Sequence, residues 1–326
     1  MHRRDVVIAT FAIGVLRHSE AQQAATMRRV GVLFFQTESL TAPQRSSFVQ
    51  GMRDLGWMEG RNVEYRFAYP DGDARKVDLL VADLIGQNVD VIVTGSSQGT
   101  LAAKRATATI PIVMAAISNA VGNGFVASLA KPGGNITGIS NQQDEILGKQ
   151  VSILHEISPA ARRIAIVLNE GNPSHALYWA EAQRACAMLG LVPLRIVANA
   201  PDRLAEAAEQ LIKLRADAVV VMQDGVYNVA RVRLQELIAR TRLPAIYGQR
   251  ELVQAGGLVS YAADLPGNFR AAARYVDKIL RGAKPADLPV EQPTKFELVV
   301  NASTARRLGI TIPSSLLLRA DEILES

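Results

Sequence analysis

The chain has 326 residues, of which 48% are hydrophobic and 5% aromatic, a length that sets a prior of about two domains with a sizeable core in each. Its formal charge is +5, yet Lys and Arg are dispersed in short pairs such as Arg162-Arg163 and Arg306-Arg307 without aromatic interleaving, which argues against a nucleic-acid surface. A single cysteine, Cys186, excludes an internal disulfide.

The first residues read as an address. His2-Arg3-Arg4 is a basic start, Val6 to Leu16 is an apolar run, and Ser19-Glu20-Ala21 is a cleavage site, so residues 1–26 are expected to be a signal peptide. The apolar run is shorter than the about 20 residues a membrane-spanning helix needs. Arg3-Arg4-Asp5 also fits a loose twin-arginine export pattern.

From residue 28 strands and helices alternate. RRVGVLFF reads as a strand, PQRSSFVQGMRDLGW as an amphipathic helix opened by Pro43, and NVEYRFAYP as a second strand. KVDLLVADLIGQ (helix), VDVIVTG (strand), GTLAAKRATA (helix) and IPIVMAAI (strand) follow. GNGFVASLA reads as a short helix before the strand NITGIS. The pattern then restarts with the helix ILGKQVSILHEISP, the strand ARRIAIVLN and the helix PSHALYWAEAQRACAMLG. VPLRIVA, LAEAAEQLIKLRA, DAVVVMQD, VARVRLQELIART, PAIYG, the helical turn QRELVQAG and the strand GLVSYAAD complete the series. Aliphatic strands between helices predict an α/β fold of two doubly wound parallel-sheet lobes, with ligands beyond the carboxyl ends of the strands.

That rule selects the site candidates. Gln36 follows the first strand. Gly95, Ser96 and Ser97 lie between a strand and a helix, where backbone N–H groups and hydroxyls make a seat for a carboxylate, or simply a tight turn and cap. Gly95-Ser96-Ser97-Gln98-Gly99 also fits the nucleophile elbow of hydrolases, but neither His155 nor His175 stands late in the chain, where that chemistry needs its base. Gly122 to Ala127 fits a dinucleotide fingerprint with Asp144 downstream, although Ser118 to Val121 separates it from the strand. Asn169 and Asn172 follow the first strand of the second half, as polar contacts or helix caps. Gln223 and Asp224 end another strand, and Asp224 is the acidic candidate for an ammonium group or, equally, a cap. Tyr247 and Tyr261 end neighbouring strands and suit an aromatic solute. His175 and Trp179 stand one helical turn apart, and Trp57 reads as packing. No His or Cys pair has metal spacing, and no cofactor is expected.

The segments MRRVGVLFF, LGWMEGRNVEYRFA, IPIVMAAI, ASLAKPGGNITGIS, LPAIYGQRELVQAGGLVSYAADL and ADLPVEQPTKFELVVN resemble the periplasmic solute-binding proteins of ABC importers, in the type that takes up tryptophan and related aromatic amino acids. The resemblance implies a type I periplasmic-binding-protein fold with lobes of residues 27–140 plus 262–284 and 141–261 plus 285–326, crossed near Ser140, Tyr261 and Pro285. It implies a monomer in the periplasm that closes on a small solute and delivers it to a membrane permease, with no enzymatic step. It adds Ile117, Ser118 and Asn119 to the candidate binding residues. Many relatives have Asp-Pro where this chain has Asn119-Ala120, so the expected solutes include aromatic acids without the amine. A hydrolase, a dinucleotide enzyme and a ligand-sensing domain stay open as alternatives.

Overall fold

The computed structural model describes residues 27–141, 143–293 and 295–325, without the side chains of residues 141–145. The leader read over residues 1–26 lies outside them, as does the Asp144 side chain of the dinucleotide pattern.

Five aliphatic runs form the first sheet: β1 (Arg28–Leu33), β2 (Val63–Ala68), β3 (Val91–Thr94), β4 (Ile112–Ser118) and β5 (Ile136–Asn141), all parallel in the order β2-β1-β3-β4-β5. Strands β3 and β4 are buried along their whole length, as parallel strands covered on both faces must be. Helices α1 (Ala42–Asp54), α2 (Val77–Gly86) and α3 (Ser97–Ala106) connect them. Alternate residues face opposite layers: Leu33, Ile92, Ile112 and Met114 pack with α2 and α3, while Val32, Phe34, Val93 and Val113 pack with α1. Gly138 on β5 takes φ 126, and a Cβ there would fall 2.2 Å from the Met114 carbonyl oxygen, so only glycine fits.

The second sheet holds β6 (Arg163–Leu168), β7 (Val192–Val197), β8 (Ala218–Val221), β9 (Ala245–Tyr247), β10 (Val259–Ala263), β11 (Phe296–Asn301) and β12 (Glu322–Leu324), ordered β12-β11-β10-β9-β8-β6-β7. Strands β6 to β10 are parallel, whereas β11 runs against β10 and carries β12 with it. Helices α4 (Gln143–Ile157) and α5 (Ser174–Met188) cover one face; α6 (Leu204–Lys213), α7 (Gly225–Val229), α8 (Arg231–Thr241) and α9 (Arg250–Gln254) cover the other.

After β10 the chain goes back to the first sheet as α10 (Leu265–Leu280), started by Pro266 and by the Asp264 carboxylate, which accepts from the Gly267 N–H at 2.9 Å. It lies beside α1, close enough that a Cβ on Gly51 would sit 2.9 Å from the Arg270 carbonyl oxygen. Trp57 donates from Nε1 to Asp277 at 2.9 Å across the same contact, a packing role. Residues 288–291 then run along β5: Thr137 Oγ1 donates to the Leu288 carbonyl at 2.6 Å and the Ser140 N–H to that of Glu291 at 3.0 Å. The passage to the second sheet therefore follows Glu291, beyond Pro285. Helices α11 (Ala302–Leu308) and α12 (Ser314–Leu317) close the chain against the α4–α5 face.

Two local readings differ. GNGFVASLA forms turns rather than a helix, because Gly124 takes φ 67 and Asn119 Oδ1 captures the Gly122 N–H at 2.8 Å. Helices α7, α11 and α12 and strand β12 are unread in the sequence, being too short to show a period.

Candidate functional site

The carboxyl ends of β1, β3 and β4 face those of β6, β8 and β9 across a cleft that encloses a cavity of about 60 Å³. The first lobe lines it with Phe34, Phe35 and Gln36 after β1, Gly95 to Gln98 after β3, and Ser118 at the end of β4. The second lobe adds Asn172, then Gln223, Asp224 and Gly225, and Gln249 after β9. Among the residues expected from sequence, the cavity thus gathers Gln36, Gly95, Ser96, Ser97, Ser118, Asn172, Gln223 and Asp224.

At the start of α3, Ser96 is extended and its hydroxyl accepts from the Gly99 N–H at 3.0 Å. Ser97 and Gln98, which open this helix, line the cavity, and a helix N-terminus carries a partial positive charge suited to an anion. Gly95 is small by necessity, since a Cβ there would lie 2.8 Å from the Phe269 ring.

Ser97 Oγ lies 2.7 Å from Ser174 Oγ, the first residue of α5 in the opposite lobe, and Asn123 Nδ2 donates to the same Ser174 oxygen at 3.0 Å. Asn228 Nδ2 donates to Gln36 Oε1 at 3.1 Å, again from lobe to lobe. Gly225 abuts Phe35 so closely that a Cβ would meet its ring at 2.4 Å. These contacts describe lobes closed tightly on each other, leaving less space than the about 150 Å³ that holds a benzene ring, so an aromatic ligand requires them to stand further apart than here.

Among the described residues no base serves Ser97. His175 Nδ1 accepts from the Asn169 N–H at 2.8 Å, which leaves the proton on Nε2, donated to the Gln223 carbonyl at 3.1 Å. Burial holds its pKa below the ordinary imidazole value, against the pull of Asp224, whose Oδ2 lies 3.5 Å away. The hydrolase geometry is therefore absent. The dinucleotide fingerprint fails as well: no helix follows Gly122, and Phe125 and Val126 are core residues.

Of the two roles expected for Asp224, the structure shows the cap. Its Oδ1 accepts from Asn169 Nδ2 at 3.1 Å and from the Val226 N–H at 2.8 Å, and its Oδ2 from Asn172 Nδ2 at 2.8 Å. The carboxylate is consumed in capping α7 and bracing the loop after β6, so it is not a free partner for an ammonium group. Asn169 is not part of the cavity lining and instead holds Asp224, and Asn172 Oδ1 accepts the Ser174 N–H at 3.1 Å in the turn before α5.

The tyrosines are elsewhere too. Tyr247 is 1% exposed in the core, and its hydroxyl donates to Gln235 at 2.7 Å on the far side of the lobe. Tyr261 packs its ring on Phe296, with centroids 5.8 Å apart, away from the cavity. Ile117 is wholly buried in the core, and Asn119, at φ 47, holds a turn.

The aromatic wall comes from residues that the sequence reading passed over. Phe34 stacks on Phe269 with centroids 5.1 Å apart and on Tyr69 at 5.5 Å, and both Phe34 and Phe269 line the cavity, as does Tyr178. The signal was the Phe34-Phe35 doublet at a strand end, where one ring must face each layer. Gln44 and Gln249, one from each lobe, are 3% and 2% exposed and line the cavity with Oε1 atoms that have no partner among the described residues. Among the described residues no cluster of three metal-binding side chains exists, and no helix is long and apolar enough to cross a membrane.

Residues 29–324 match the family model described as ABC transporter substrate binding protein. The tyrosine-binding protein of Clostridioides difficile is 22% identical over 266 residues, 82% of this chain and 76% of that protein. Among solved structures, the ABC domain in complex with L-Trp from Streptococcus pneumonia is 25% identical, with a TM-score of 0.85 over 92% of this chain and 100% of that one. A conserved domain protein of Vibrio cholerae is 26% identical, with a TM-score of 0.86 over 91% and 99% of the two chains. The two-sheet architecture is that of type I periplasmic binding proteins.

Proposed function

This chain belongs to the ABC transporter substrate-binding protein family, and on that premise we propose that the cleft takes up an aromatic amino acid. The family is one of extracytoplasmic solute carriers that serve a membrane permease, and its members are not enzymes. The L-Trp complex and the tyrosine-binding relative support an aromatic amino acid as the solute class.

One observation carries the reading. Gln44 and Gln249, whose buried Oε1 atoms have no partner among the described residues, line the same cavity as the α3 N-terminus and the Phe34–Phe269 stack. An ammonium group satisfies the amide oxygens, a carboxylate satisfies the α3 N–H groups, and a ring covers the phenylalanines. Because Gln44 and Gln249 come from opposite lobes, their shared contact exists only when the lobes meet. Binding then drives hinge closure, and the closed form is what the permease recognises. The same reading has the mature chain act as a monomer, exported by its leader, without a catalytic step or cofactor.

The test is a thermal-shift screen with L-tryptophan, L-tyrosine, indole-3-acetate (no amine) and tryptamine (no carboxylate). A ligand at about 100 times its Kd stabilises the fold by about 2.7 kcal/mol, and only the intact amino acids should do so. Stabilisation by indole-3-acetate equal to that by tryptophan would remove the ammonium role of Gln44 and Gln249. Stabilisation by sugars alone would overturn the reading.

A further inference from the structure

A second cavity of about 190 Å³ lies in the C-terminal lobe at the strand ends away from the cleft, bounded by α8, α11 and the entries to β9 and β10. Ile238, Leu243, Leu258 and Leu308 give it apolar walls. It exceeds the about 150 Å³ apolar cavity that suffices to hold benzene. Gln235, 8% exposed, lines it with an Nε2 that has no partner among the described residues, while its Oε1 accepts the Tyr247 hydroxyl at 2.7 Å. A buried amide donor without an acceptor is the exception in folded proteins and asks for a partner.

Two exposed arginines stand in the same lining. Arg242 ends α8 in left-handed backbone at φ 58, and Arg307 projects from α11, bonded among the described residues only to the hydroxyls of Ser303 at 3.0 Å and Thr304 at 2.6 Å. Neither is paired with a carboxylate among the described residues. Gln235, Ala239 and Arg242 follow one face of α8 at helical spacing, which sets the amide about 10 Å from the arginine along the axis. The lining therefore offers a cationic end, an apolar middle and a single donor at the other end.

We propose that this cavity is a second ligand site, separate from the solute cleft, for a short fatty acid that carries an additional oxo or hydroxyl oxygen. The carboxylate sits between Arg242 and Arg307, the hydrocarbon fills the apolar middle, and the second oxygen accepts from Gln235 Nε2.

The probe is 6-oxoheptanoate, titrated calorimetrically into the whole protein. Saturable one-to-one binding is expected, roughly tenfold weaker for heptanoate, which lacks the oxo oxygen, and roughly tenfold weaker for the Arg242→Ala/Arg307→Ala variant. Ala239→Trp, an exposed position in the same lining, should abolish it with the melting temperature unchanged, while Ser97→Trp in the cleft should leave it intact. Absence of saturable binding at millimolar probe overturns the proposal. So does binding that survives in Ala239→Trp, or that is lost in Ser97→Trp, or that is equal for heptanoate and its oxo form.

Discussion

Ser97 and Ser174 stand hydroxyl to hydroxyl at 2.7 Å, each at the first residue of a helix, one helix in each lobe. A serine that the sequence offers as a nucleophile is in the structure half of a latch. Removing it weakens closure rather than chemistry. Ser97→Ala should lower solute affinity about fivefold, from the loss of about 1 kcal/mol in the closed state, with Ser174 still held by Asn123. Calorimetry on the variant checks this.

Gly225 faces Phe35 across the cleft, with no room for a methyl group unless the ring turns. Gly225→Ala should leave the melting temperature of the unliganded protein unchanged or slightly raised, since alanine favours α7. Closure should suffer, with affinity at least about tenfold lower. Small-angle scattering with saturating solute should report a more extended particle than wild type.

The Phe34–Phe269 stack joins α10 to the first sheet and forms the cleft wall. Phe269→Ala should cost about 3–5 kcal/mol of stability, read as a lower urea midpoint. The milder Phe269→Leu should keep the fold and weaken aromatic solutes selectively over aliphatic ones.

His175 gives the protein a pH dependence with a definite sign. Burial lowers its folded pKa below the unfolded value near 6.5, so its neutral form is the one that packs. Its contribution is fully present above about pH 6.5 and declines as pH falls from there towards the lowered folded value, by up to about 1.4 kcal/mol per pH unit. Urea midpoints at pH 7.5 and 5.5 should differ more for wild type than for His175→Asn.

The strand-end rule gathered eight of the expected positions in one cavity because it rests on topology, which alternating aliphatic runs reveal. It misplaced Tyr247 because the last residue of a strand can face either helical layer, and this one turns into the core towards Gln235. It left Asp224 open between an ammonium partner and a cap because the side chains that hold it, Asn169 and Asn172, come from another loop, more than fifty residues away. Gln44 and Gln249 were illegible for a different reason. An amide is ordinary on a helix surface, and only burial without a partner, which requires both lobes, makes it informative.

Helix α10, which packs on α1 and on the faces of β3 and β4, reaches the first sheet from the far end of the sequence. During synthesis, the five strands and three helices of the first lobe are made before it, and the sheet face carrying Val93 and Val113, which α1 covers in part, is completed only when residue 280 has emerged. A ribosome-bound fragment ending at Asn141 should therefore be protease-sensitive and prone to chaperone capture. The second sheet also waits, for β11 and β12. Both lobes are therefore completed only near the end of translation.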